Sequence, residues 1–227
     1  QPERREALAK ACIAPLQASG VDAALHDGCV GKDLPLDLHR LRHGGVQSVH
    51  WNGRVYDIDT TLWKESWSVE ELATVEQRMA AMDWFPLAWL NFPKDVMEPQ
   101  TPGFVGGHIS HAEVWHWAFE VGLDWVMVLE DDAVPNEGFG LAWTDIWCVV
   151  ESQVMGLSET GVAWDILYVG RTPSYTREGP EITSLIVHVG YCLRTHSYCL
   201  SRRGMRKLLQ SRVASVITHR PQDEVLA

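Results

Sequence analysis

Apolar residues recur with helical spacing through residues 2–19, where Leu8, Ala11, Cys12 and Leu16 share one side, Glu3 lies in the first turn and Gly20 follows as a stop. Pro15 should bend the last turn, since it has no N–H for the helix ladder. Residues 21–26 alternate weakly and end in Asp27-Gly28, which predicts a strand and a turn. A domain that opens on a helix feeding a strand leads us to expect a further strand ahead of Gln1. Residues 103–120 predict a helix with Ile109, Val114, Trp117 and Val121 on its apolar side and Gly122 as its C-cap. The unbroken run from Trp125 to Leu129 predicts a short strand buried on both faces. After a turn at Pro135 and Gly138 comes a helix over about 139–155, with Trp143, Ile146, Trp147 and Val150 at three- and four-residue spacing. A buried strand over 164–170, a polar loop over 171–180, and strands over 184–189 and 195–200 follow. Ser201 caps a last helix to about Gln210, with Arg202, Arg203, Arg206 and Lys207 on its wet side.

Between about residues 30 and 102 the periodicity is poor, and Pro, Gly and five tryptophans (Trp51, Trp63, Trp67, Trp84, Trp89) are interspersed. One helix is predicted there, from Ser68 as N-cap with Glu71 as its capping-box partner to about Met82. Long irregular stretches of this kind serve as binding loops or lids. Tryptophan faces suit sugar rings, and packing is the competing fate of the same side chains. The alternation of helices and strands predicts an α/β domain over residues 1–227, a mainly parallel sheet flanked by helices, with the Trp-rich stretch as an insertion.

Net charge is −11 and no basic stripe is present, which disfavours nucleic acid and anionic membrane as partners. Positive charge for an anionic ligand must then be supplied locally, and a metal would do that. No apolar run reaches the roughly 18 residues a membrane span needs. The chain starts at Gln1 without a charged-then-apolar leader, so a targeting segment is expected to be absent or cut away. Cys12, Cys29, Cys148, Cys192 and Cys199 are odd in number and lack metal-type spacing, which predicts buried free thiols and slightly favours a reducing compartment. There is no G-x-G-x-x-G, no phosphate-loop signature and no G-x-S-x-G elbow.

The chemistry concentrates at Glu130-Asp131-Asp132, directly after the apolar strand. Three carboxylates beside a dry strand repel one another unless water, donors or a cation meet them. Open α/β sheets bind ligands outside the carboxyl ends of their strands. An acid-x-acid tip at such a place can hold a hard divalent ion, and that ion can hold a diphosphate. The competing account is a solvated acidic turn.

Five collinear segments resemble glycosyltransferase family 25, the enzymes of bacterial lipooligosaccharide synthesis and of collagen hydroxylysine galactosylation. They are Pro2-Glu-Arg-Arg5 with Asp27-Gly28; Gly103-Phe-Val-Gly-Gly-His-Ile-Ser-His-Ala-Glu-Val-Trp115; Val128-Leu-Glu-Asp-Asp-Ala133; Trp164-Asp-Ile-Leu-Tyr-Val-Gly170; and Ser197-Tyr-Cys-Leu-Ser-Arg-Arg-Gly-Met-Arg-Lys-Leu-Leu209 leading to Pro221-Gln-Asp-Glu224. The resemblance implies a GT-A-like fold, here cut short at both ends, with a UDP-sugar donor, typically UDP-galactose. It also implies a divalent metal, Mn2+ foremost, and inverting transfer to a glycan or protein hydroxyl acceptor. The span between Gly28 and Gly103 is longer than the family core, so an unusual acceptor is expected.

The same resemblance assigns roles. Asp132 would ligate the metal directly and Glu130 directly or through water, and Asp131 would face the donor sugar or the backbone. A further ligand is expected beyond the end of the chain, with His188, His196 and His219 as substitutes. Asp223 or Glu224, with Asp223 preferred, would take the acceptor proton as the hydroxyl attacks; the competing account is two acids at a helix N-terminus. Arg4 and Arg5 would meet the nucleotide, and Asp27 and Gly28 the base or ribose, against a plain helix face and a plain turn. Ser110 would reach the nucleotide, and His111 would hold helix and strand together. A non-catalytic scaffold of the same fold and a nucleotidyltransferase are the competing functions. Cytoplasmic and endoplasmic reticulum lumenal locations both stay open, with the unpaired cysteines on the cytoplasmic side.

Overall fold

The computed structural model describes residues 2–42, 45–59, 102–135, 140–173, 179–188 and 192–217. The predicted helix from Ser68 to Met82, four of the five tryptophans, His219, Asp223 and Glu224 lie outside the described residues.

The first helical stretch comes in three contiguous pieces: α1 (Pro2–Leu8), a π-helical turn (Ala9–Ile13) and α2 (Ala14–Ala18). The Ala14 N–H bonds back to Ala9 O, five residues earlier. Pro15 has no N–H and its ring crowds the carbonyl four residues back, so the turn before it widens. Cys12 and Leu16 are buried, as their spacing predicts.

Residues 21–30 form no strand, contrary to the weak alternation. Side chains rather than a neighbouring strand engage this backbone: Gln17 Nε2 donates to Ala23 O, and the Cys29 N–H donates to Ser110 Oγ. A short helix α3 (Leu38–Arg42) leads to a hairpin of β1 (Val46–Trp51) and β2 (Arg54–Asp59), inside the stretch expected to be irregular. Its turn is Asn52-Gly53, both with positive φ, 47° and 77°. An Asn-Gly pair between short strands favours a tight hairpin, because both residues tolerate positive φ.

Helix α4 (Pro102–Glu120) is the centre of the molecule. Val105, His108, Ile109, His111, Ala112, Glu113, Trp115 and Ala118 are all buried, which is more than one face of the helix. The hairpin, β6 (Val216–Ile217) and helix α6 (Arg202–Gln210) pack with α4 in one core that also contains Val128, Tyr198 and Leu200. Enclosure of that kind obscures amphipathic periodicity. The face expected to be apolar was therefore partly wrong: Ile109 is buried, whereas Trp117 and Val121 are exposed.

After Gly122, at φ +87°, the chain enters β3 (Trp125–Leu129), then α5 (Trp143–Glu159), β4 (Ile166–Pro173) and β5 (Cys192–Ser201). Strand order is β3-β5-β4, and β5 runs antiparallel to both neighbours. The second sheet is β1-β2-β6, with β1 antiparallel and β6 parallel to β2. The α/β class holds, but the described sheets are small and mixed rather than mainly parallel. In the second sheet the antiparallel pair is the β1–β2 hairpin, and in the first the reason is local to β5. The β3–α5–β4 unit places two strands in the same direction, as the alternation implied, and β5 enters between them in the opposite sense.

Two further differences have simple causes. Of the strand expected over 184–189, the described residues 184–188 make one isolated bridge, Val187 to Glu181, because the Thr183 hydroxyl accepts from the Leu185 and Ile186 N–H groups and closes a turn. Arg202 is not on a wet face; its guanidinium donates to Phe119 O and Leu123 O at the carboxyl end of α4 and lies 4.6 Å over the Phe119 ring. Ser201 caps α6 as predicted, accepting from the Gly204 N–H.

Candidate active site

Strand alternation decides which side chains meet. In β3, Val126 and Val128 face the α4 core, whereas Met127 and Leu129 face α1, α2 and α5. Glu130, two residues after Val128, continues on the α4 side. In β5, Tyr198 pairs with Val128, and the Glu130 N–H bonds to His196 O one step further along. His196 is therefore carried to the acidic tip by the same register that buries Tyr198.

The result is a cluster of Glu130, Asp132 and His196, whose ligand atoms all lie within 4.8 Å of one another. His196 Nδ1 is 3.2 Å from Glu130 Oε2 and 3.8 Å from Asp132 Oδ1. Two carboxylate oxygens and one imidazole nitrogen suit a divalent ion of the manganese, iron or zinc kind. The residues present thus fit a metal, with His196 as third donor. Sequence reasoning placed His196 only among substitutes, because its approach to Glu130 spans 66 residues.

A cleft of about 1530 Å³ opens beside this cluster. It extends along β3, the edge strand with no strand partner on that side among the described residues. Its polar end is where chemistry belongs. Arg5, Asp27, Gly28, Ser110, Glu130, Asp131 and Asp132, all singled out from the sequence, line this one cleft. Arg4 stands at its rim, 3.6 Å from Asp131, and Arg5 is paired with Asp27. His188 is not among the cleft residues.

Ser110 has a structural engagement: its hydroxyl donates to Gly106 O at 2.7 Å and accepts from the Cys29 N–H at 2.8 Å. A Cβ on Gly28 would stand 3.1 Å from that same oxygen. The segment 27–29, which forms no regular turn, is thereby latched against the first turns of α4. Backbone approaches backbone next to it, since a Cβ on Gly106 would come within 2.6 Å of Cys29 O and Gly31 N.

The thiols are quiet. Burial pushes Cys12 and Cys29 up to about 11 and Cys199 up to about 12, so they stay protonated at neutral pH. All three are buried and free as expected, whereas Cys148 is free but exposed.

One group had no sequence signal: Glu113, buried to 4% exposure on α4. It accepts from the Tyr56 hydroxyl, from Asn52 Nδ2 and from Arg54. Burial and the hydrogen bond to Glu113 raise Tyr56 far above the ordinary phenol range. The ring of donors around Glu113 makes it a structural acid, and it is not among the residues that line the cleft.

Comparison with known proteins gives a consistent result. The profile of Glycosyltransferase family 25 (LPS biosynthesis protein) matches residues 92–226. "Probable inactive glycosyltransferase 25 family member 3" of Bos taurus is 28% identical over 159 residues, 67% of this chain and 26% of the relative. "Procollagen galactosyltransferase 1" of Danio rerio is 31% identical over 117 residues, 50% of this chain and 18% of the relative. "Glycosyltransferase 25 family member" of Drosophila pseudoobscura pseudoobscura is 27% identical over 128 residues, 56% of this chain and 19% of the relative. The matched part is thus about a quarter or less of each relative's own length. No solved structure matches significantly.

Proposed function

The chain belongs to glycosyltransferase family 25, and on that premise we propose that it is the donor-binding part of a metal-dependent glycosyltransferase of GT-A-like architecture. It would move a sugar, galactose foremost, from a UDP-sugar to a glycan or protein hydroxyl with inversion. The observation that carries this reading is the meeting of Glu130, Asp132 and His196 at the carboxyl end of β3, beside a cleft.

Glu130, Asp132 and His196 would hold a divalent ion, Mn2+ foremost, which stabilises charge on the departing diphosphate as a Lewis acid. Asp131 and Arg4, 3.6 Å apart at the rim, would address the donor sugar and phosphate. Asp27 and Gly28, held by the Ser110 latch, offer a carboxylate and a side-chain-free surface to the nucleoside. Asp223 is proposed, with Glu224 behind it, as the base that takes the acceptor proton. Isothermal titration with UDP tests the core of this: heat that requires Mn2+ supports it, and no heat under either condition removes it.

One observation favours a second reading. The bovine relative's name calls that protein probably inactive. A non-catalytic member retaining the cleft would bind UDP with Mn2+ yet release no UDP from UDP-galactose with any acceptor. The retained acids Glu130 and Asp132 favour the enzyme.

A further inference from the structure

Helix spacing and strand alternation align four residues behind the acidic tip. His111 and Trp115 are one turn apart on α4, and both meet Tyr198 on the central strand β5. The Tyr198 hydroxyl accepts from Trp115 Nε1 at 2.9 Å and lies 2.7 Å from His111 Nδ1. The His111 and Tyr198 rings stack, with centroids 5.7 Å apart and planes 16° from parallel. On the far side of the imidazole, Nε2 stands 3.5 Å from Glu130 Oε1. Trp115 and Tyr198 are fully buried and His111 nearly so.

The donor inventory gives this chain a direction. An indole N–H can only donate, so the Tyr198 oxygen is the acceptor for Trp115. The phenolic proton needs an acceptor of its own, because a buried hydroxyl left unmatched is costly. His111 Nδ1 is the acceptor at hand. A neutral imidazole that accepts at Nδ1 carries its proton on Nε2, which here faces Glu130.

We propose that Trp115, Tyr198 and His111 form a buried relay that holds His111 as the Nε2–H tautomer and steadies the Glu130 carboxylate for a divalent cation. The two carboxylate oxygens are addressed separately: Oε1 by His111, and Oε2 on the side of His196. Fixing a ligand carboxylate before the ion arrives lowers the ordering cost of binding. His111, Tyr198 and Trp115 are positioning residues and touch no substrate. The inference rests on the metal reading above.

Long-range 1H–15N correlation on the metal-free protein reads the tautomer of neutral His111. The expected result is Nε2–H, with a mixture appearing in Tyr198→Phe. An Nδ1–H tautomer in the wild type overturns the relay whatever the metal does. Titration with Mn2+ alone, followed by electron paramagnetic resonance, reads the consequence. Tyr198→Phe and His111→Asn should weaken Mn2+ binding about tenfold or more. His111→Gln, whose amide N–H reaches close to the place of Nε2, should keep most of the affinity. Equal Mn2+ affinity across these variants overturns the relay and leaves the metal site standing. Absence of Mn2+ binding in the wild type, with the Nε2–H tautomer present, removes the metal reading and the relay's task together. Circular dichroism melting accompanies each variant; if Tyr198→Phe does not fold, the contrast between His111→Gln and His111→Asn decides.

Discussion

Arg54 and Glu113 lie 3.2 Å apart, and this pair ties the β1–β2 hairpin to the central helix α4. Glu113 is 4% exposed, so its charge must be met inside the protein. Arg54 also reaches Glu120 at 2.6 Å, one further stretch along the same helix. Arg54→Ala would leave a buried carboxylate with Tyr56 and Asn52 as its remaining donors among the described residues. The expected loss is about 2–3 kcal/mol in chemical denaturation, below the full cost of breaking a buried pair because Arg54 is partly exposed. Tyr56→Phe should cost about 1–2 kcal/mol, since one donor is lost. Wild-type stability in Arg54→Ala would show that the hairpin is not anchored here.

Neighbouring glycines of α4 should respond in opposite directions. A Cβ on Gly106 meets main-chain atoms of Cys29 and Gly31 at 2.6 Å, whereas one on Gly107 meets nothing within 4 Å. Gly106→Ala is expected to destabilise by about 1–3 kcal/mol, because backbone rather than a flexible side chain must shift. Gly107→Ala should stabilise by about 0.5–1 kcal/mol through helix propensity. Thermal melts of the two variants check the contrast; a shared sign would contradict the close approach of the 29–31 segment.

His108 supplies a pH dependence. Burial lowers its pKa below 6.5, with the Val213 carbonyl acting in the opposite sense and His111 in the same sense as burial. Its Nε2 is 2.8 Å from Val213 O, which makes Nε2 the donor and leaves Nδ1 without a partner among the described residues. Folding therefore favours the neutral ring. The stability is complete above 6.5, the unfolded value, and falls as pH drops from there toward the lowered folded value. His108→Gln keeps an N–H for Val213 and should flatten the fall of Tm between about pH 7 and pH 5. Some slope will remain, because burial also lowers His26 and His116. An unchanged slope would remove His108 from the acid response.

For the metal donors, Asp132→Asn and His196→Ala should each weaken Mn2+ binding by more than the roughly tenfold cost of losing an outer partner. Asp131→Asn should leave Mn2+ affinity near the wild type and weaken UDP-sugar binding instead. Competition between Mn2+ and Mg2+ adds a discriminating readout. His196→Ala should narrow the preference for Mn2+, since imidazole nitrogen suits manganese better than magnesium. Full Mn2+ affinity in His196→Ala would take the third donor elsewhere.

Asp223→Asn should lower kcat by a factor on the order of 100 or more with little change in Mn2+ affinity, as expected for a base that acts only in the transfer step. A matching loss in Glu224→Gln alone would move the role by one residue.

Much of this was legible along the chain. The helix over residues 103–120, the apolar strand from Trp125, the Ser201-capped helix and the acids at a strand end all follow from spacing, capping and turn residues that act within a few positions. The seven cleft residues named from motif likeness stand around one opening. Other features depended on the tertiary structure. That β5 paired with β3, and hence that His196 reached Glu130 and Tyr198 reached His111, depended on contacts across more than 60 residues. Periodicity reports how much of an element is buried and is silent on its neighbour. Loop closure and core packing choose that neighbour, and they buried Glu113 while leaving Trp117 in water.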